Sequence, residues 1–171
     1  MRIHVANDGC ESEGQIFDAY NVFKVLHLIG VVLLIGNVTV TAYWKLRADL
    51  SRDVRIIAHA QGNVTLADWL WTLLGIALMV VGGYGAAWIN GISLFADAWM
   101  FWGQGLFLLS GLIWLGMIVP IQARQAKAAR AFEINGVIPQ SYWRLAHWWM
   151  FWGVVATIPL VAAMWVMVAK P

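Results

Sequence analysis

Tyr20–Trp44 reads YNVFKVLHLIGVVLLIGNVTVTAYW, and between Val25 and Thr41 it carries no charge when His27 is neutral. Wound as a helix, the run rises roughly 35 Å at about 1.5 Å per residue, against a hydrocarbon core of about 30 Å. It exits into Trp44–Arg55, WKLRADLSRDVR, a segment too charged to stay in lipid cheaply. The chain therefore reads as a membrane protein. His27 is the first residue inside the membrane that needs a reason to be there.

Three further apolar runs follow, at about 66–89, 100–121 and 142–168. The 171 residues are 61% hydrophobic and only 12% charged, more apolar surface than a soluble chain of this size can hide. The expected fold is all-α: an antiparallel bundle of four transmembrane helices with short loop helices, forming one integral membrane domain over 1–171. Net charge is +2, but the basic residues flank spans and form no groove for nucleic acid. A lone cysteine, Cys10, excludes an internal disulfide and a multi-cysteine metal site. Met1–Asn21 has four acids and no apolar core, unlike a cleaved signal peptide.

Punctuation along the chain sets further expectations. Met1–Ala19 reads as a solvated loop with a turn at Asn7-Asp8-Gly9 and a surface His4. Gly30 and Gly36 read as places of close helix approach. Ser51 reads as the cap of a short helix over Arg52–Gln61, and GNVT, at 36–39 and again at 62–65, as a local helix crossing. Asp68 reads as structural, pairing with Arg47 or Arg52 or sitting as an acid at a helix start, in preference to the alternative of proton transfer. Beyond Pro120, Arg124, Lys127 and Arg130 recur every three residues, either on a solvated extension of the third helix or on a new helix. Pro159 marks a bend. WMFWG, at 99–103 and 149–153, reads as interfacial aromatic anchors. Lys45–Arg55 holds four basic residues against two acids and Arg124–Arg144 four against one. The positive-inside rule puts both of these loops in the cytoplasm and both termini outside.

No nucleotide-binding, zinc-protease or hydrolase motif stands in a fitting context. The chemical candidates are polar groups in or near lipid: Lys24, His27, His59, Asp68, Gln104, Arg144 and His147. Neutral imidazole suits haem iron, and a helical bundle can hold the macrocycle. Lys24 and Arg144 each precede a histidine by three residues, on about the same helix face, within reach of a propionate or of lipid phosphate.

Phe23–Asp49 (FKVLHLIGVVLLIGNVTVTAYWKLRAD), Val64–Gly83 (VTLADWLWTLLGIALMVVGG) and the closing span with its VAKP end carry a resemblance. The chain resembles a family of predicted bacterial inner-membrane proteins of unknown function, the DUF2269 type. It is more distantly similar to the HemJ protoporphyrinogen oxidases and the CopD-like membrane proteins. The HemJ resemblance implies a haem b protein in which His27 matches that family's early histidine, with electrons leaving toward a quinone or the respiratory chain. This chain reads YWKLR where those proteins carry Leu-Pro-Arg, and LSGLIWLG where they carry a third-span histidine.

Three readings follow. The first is a haem b oxidoreductase or electron-transfer protein of the bacterial inner membrane, protoporphyrinogen-oxidase-like in kind. The second is a non-enzymatic membrane subunit or assembly factor, working in a homo-oligomer or larger membrane complex. The third is a small-molecule or metal-ion transporter, against which stands the lack of paired membrane acids. The expected haem site lies near the outer side, with His27 on the iron and Lys24 toward a propionate. Tyr84 and Trp102 flank it, and Gln104 is a polar contact. His59 and His147, with Arg144 beside the latter, form the only depth-matched histidine pair for an alternative site on the inner side.

Overall fold

The computed structural model describes the backbone of residues 8–170 and the side chains of residues 18–170, so His4, Asn7 and the Cys10 thiol lie outside the described parts. Four helices carry the chain: α1 (Asp8–Ser51), α2 (Val54–Ile89), α3 (Ala98–Asn135) and α4 (Gln140–Ala169). No strand occurs among the described residues. Each helix is long and apolar enough to cross a membrane. Their large apolar side chains point outward, Val32 being 69% exposed, Leu112 68% and Val168 83%. Lipid is the solvent that tolerates such a surface.

The helices outrun the apolar stretches. The first begins at Asp8, so the loop expected through Ala19 is largely helix. No separate helix covers Arg52–Gln61. Residues from Val54 belong to α2, and its cap is Asp53 rather than Ser51, with Oδ1 accepting from the amides of Arg55 (2.8 Å) and Ile56 (3.1 Å). Ser51 instead donates to the Ala48 carbonyl, and Arg52 makes the tight turn at φ 56°. Past Pro120 the third helix simply continues, with its strain taken up by a π-helical stretch at Trp114–Ile118. A proline lacks the N–H that would bond residue 116, and a widened turn accommodates the defect. Pro159 is buried within α4, which is helical from Gln140 to Ala169.

Close backbone approach divides the bundle. α1 packs along α2, and the first half of α3 packs along α4; the two pairs meet mainly toward the basic-loop end, where the start of α2 runs against the end of α3. Glycine sets the first pairing. A Cβ on Gly30 would sit 2.4 Å from the Met79 amide nitrogen, and one on Gly82 2.3 Å from that of His27. Gly36 and Gly62 have open space around them, so the GNVT strings mark no glycine crossing, and Gly36 is not a point of close approach. The α3–α4 pair is tied by Ser110, whose hydroxyl donates to the Ala156 carbonyl at 2.7 Å. At the basic-loop end, Ile57, Ala129, Phe132 and Tyr142 close the core. The WMFWG copies behave differently from each other. Phe101 and Trp102 point outward, as does Phe151, but Trp149 is 6% exposed and turns into the bundle.

Candidate functional site

Where the two helix pairs diverge they leave a cleft of about 550 Å³. Leu34, Ile76, Phe107 and Ile118 make its wall mostly apolar, and Asp68, Thr72 and Trp149 interrupt it. Asp68 opens a π-helical stretch, Asp68–Thr72, inside α2. Trp69 and Trp114 meet edge-on with centroids 5.8 Å apart, so the two π stretches lie at one level, where the pairs part. Such widened turns re-aim side chains, and here both Asp68 and Thr72 face inward and are buried.

Asp68 is held by neutral groups. Asn37 Nδ2 donates to its Oδ1 at 3.1 Å, and Gln122 Nε2 donates to its Oδ2 at 3.0 Å. The same Asn37 amide donates to Thr72 Oγ1 at 3.1 Å. Neither Arg47 nor Arg52 pairs with it, and the only ion pair among the described residues is Lys45 with Asp49. Asp68 lies well inside α2, far from its start, so neither of the structural roles expected of it survives. The reason is topological: α2 begins at Val54, about three turns earlier than the apolar pattern implies, which carries Asp68 into the bundle. A carboxyl there is expensive unless its oxygens are satisfied, and two amides satisfy them. Gln122 can present either its N–H or its C=O after an amide flip, so the neighbourhood can receive both a carboxylate and a carboxylic acid.

Toward the basic-loop end lies a second polar group. Lys45 is 1% exposed and paired with Asp49; its Nζ donates to Tyr142 OH at 2.7 Å, and that hydroxyl donates to Asp49 Oδ1 at 2.9 Å. The Lys45 ammonium also lies 4.9 Å from the centre of the Tyr142 ring. Gln61 and Gln125 are fully buried, and among the described residues neither carboxamide has a hydrogen-bond partner; the Trp149 indole N–H likewise has none there.

The histidines are scattered. His27 is half-buried between α1 and α2, its Nδ1 donating to the Met79 carbonyl at 2.8 Å, with Gly83 against the ring. His59 is exposed on α2 and bonded to Asn63 at 2.9 Å. His147 is exposed on α4, its Nδ1 donating to the Trp143 carbonyl at 2.7 Å. No group of three metal-ligating side chains occurs among the described residues, and no histidine lines the cleft. Of the residues placed around His27, Lys24 is exposed and lies 5.7 Å from the centre of the Tyr20 ring. Tyr84 donates to Gln104 at 2.8 Å, tying α2 to α3; Trp102 faces outward, and Arg144 is exposed beside His147. The polar network that the structure does assemble, Asn37, Thr72, Gln122 and Lys45 around Asp68 and Tyr142, was missed apart from Asp68. Its trace in the sequence is a polar residue every fourth position on α1: Asn37, Thr41, Lys45, Asp49.

Four membrane-length helices with a polar cluster buried beside an interhelical cleft define a polytopic integral membrane protein. The chain belongs to the family of predicted integral membrane proteins DUF2269, whose family model matches residues 21–171. No curated protein and no solved structure matches it.

Proposed function

We propose that the protein is a membrane transporter in which Asp68 carries a proton and the adjoining cleft takes a small, apolar-bodied solute. One observation supports the reading: a buried carboxyl on the cleft wall is bonded by two carboxamides and by no cation. A structural carboxylate at such depth is normally neutralised by a basic partner. A group that must gain and lose a proton is better served by neighbours that can turn. With the positive-inside rule, the Lys45–Asp49 end faces the cytoplasm of a bacterial inner membrane and both termini face outward.

The test is proton entry into liposomes holding the purified protein and a pH-sensitive dye, under an imposed potassium diffusion potential. Wild type should acidify the lumen faster than Asp68→Asn, a variant that keeps shape and hydrogen bonding. Equal rates would overturn the reading.

A second reading, a haem b oxidoreductase of the kind to which the HemJ likeness points, keeps one supporting observation. The bond from His27 Nδ1 to the Met79 carbonyl fixes the tautomer that leaves Nε2 as a free lone pair, the arrangement usual in metal-ligating histidines. Electrons would then pass to a quinone or a respiratory partner. A reduced-minus-oxidised absorption spectrum of the purified protein, lost in His27→Ala, tests it.

A further inference from the structure

Among the described residues that line the cleft, Asp68 is the one ionisable side chain; no lysine, arginine or histidine stands on its wall. Each Asp68 oxygen accepts one amide donor, from Asn37 and from Gln122. A carboxylate offers about four lone-pair sites, so about two remain for a ligand.

The hydroxyls on the same wall add to this polarity. Thr39 donates to the Ile35 carbonyl at 2.8 Å and Thr41 to that of Asn37 at 2.7 Å. Ser110 donates to Ala156 at 2.7 Å and Thr157 to Gly153 at 2.8 Å. A carbonyl oxygen can only accept, so each of these four hydroxyls has spent its proton and keeps only lone pairs for a ligand. Phe107, Trp114 and Trp149 contribute aromatic rings, whose faces carry negative charge density. The Trp149 N–H does not offset them, because its nitrogen is buried. Spent hydroxyls, aromatic rings and a single acid favour a cation and disfavour an anion. The mostly apolar wall also decides which cation. A compact, strongly hydrated ion would lose its water shell for little return, whereas a cation carried on an apolar body loses much less. A cleft of about 550 Å³ has room for such a molecule.

We infer that the solute of the cleft is a lipophilic organic monocation that takes the place of the proton on Asp68. This rests on Asp68 being the proton carrier. As the cation binds, the Asp68 O–H bond breaks heterolytically. Its electron pair stays on the carboxylate, the proton leaves to the aqueous phase, and no electron is transferred. The net charge of the cleft is the same before and after. Because one carboxyl serves both ligands, cation and proton exclude each other, and transport is an exchange of one for the other.

The test uses the full-length protein in lipid nanodiscs and tetraphenylphosphonium as the probe. Binding is read by equilibrium dialysis, with empty nanodiscs as the lipid background. Wild type should bind the cation saturably and, in weak buffer, release protons as it does so. Asp68→Asn keeps the hydrogen-bonding shape; it should bind about tenfold more weakly or worse, the loss of a charge-assisted contact, and release none. Tetraphenylborate, of like shape and opposite charge, should show no saturable binding when tested alone. Gly153→Leu is a second variant. Gly153 lines the cleft and a Cβ there meets nothing within 4 Å, so the added side chain occupies ligand space and should abolish binding. No saturable cation binding by wild type, equal binding by Asp68→Asn, or saturable binding of tetraphenylborate would overturn the inference. If Asp68→Asn does not fold, wild-type proton release and Gly153→Leu decide. Asp68-dependent proton entry into liposomes without cation binding removes this inference alone. Unchanged proton entry in Asp68→Asn removes the transporter reading on which it rests.

Discussion

Gly82→Ala should loosen the α1–α2 pair more than any single methyl elsewhere in it. The added Cβ would lie 2.3 Å from the His27 nitrogen, 2.6 Å from the Phe23 carbonyl oxygen and 2.8 Å from the His27 Cα. These are backbone atoms on a facing helix and cannot rotate away. Ordinary contact needs about 3.5 Å or more, so the helices must part by about 1 Å over the turn where they are closest. Overpacking of this kind costs about 1–3 kcal/mol, offset by the roughly 1 kcal/mol that alanine gains over glycine in a helix. The same movement pulls Met79, one turn away, off His27 Nδ1, a 2.8 Å bond whose loss adds about 1 kcal/mol. A net loss of about 2 kcal/mol is expected. Gly36→Ala is the internal control: nothing lies within 4 Å of its added Cβ, so it should be neutral or gain up to about 1 kcal/mol. Equilibrium unfolding of both variants in mixed micelles measures the difference. A Gly82→Ala protein as stable as Gly36→Ala would refute the glycine-set packing of α1 on α2.

Lys45→Met leaves Asp49 partly buried without its cation and should cost about 3–5 kcal/mol, with much of the loss recovered in Lys45→Met/Asp49→Asn; a double-mutant unfolding cycle measures the coupling. Ser110→Ala removes the side-chain donor to the Ala156 carbonyl and should cost about 1 kcal/mol, read in the same unfolding assay. Cysteines placed singly between Lys45 and Arg55, or between Arg124 and Arg130, should resist a membrane-impermeant thiol reagent added to intact cells, while the native Cys10 reacts; labelling of either basic loop from outside reverses the orientation.

Some of this protein was legible along the chain, because the rule behind it is local. An apolar run of more than twenty residues such as Val25–Thr41 with its flanks must find a non-aqueous solvent, whatever packs beside it. That gave four helices and their approximate places. Helix ends were less legible: the stretch through Ala19 is polar enough to read as a loop and Arg52–Gln61 as a separate short helix, yet helices extend beyond the membrane wherever propensity and caps allow, as Asp53 does for α2. The site depended on tertiary structure. His27 stands out in sequence because it is the first imidazole inside an apolar run, but its Nδ1 is spent on a backbone carbonyl. Asp68 looked like the end of a helix until α2 proved to start at Val54. Which of Asn37, Gln122, Gln61 and Gln125 face inward is fixed by helix rotation, by the π turns at Asp68–Thr72 and Trp114–Ile118, and by antiparallel register. A hydropathy pattern records none of these, because a polar residue weighs the same in it whether it faces lipid, water or three other helices.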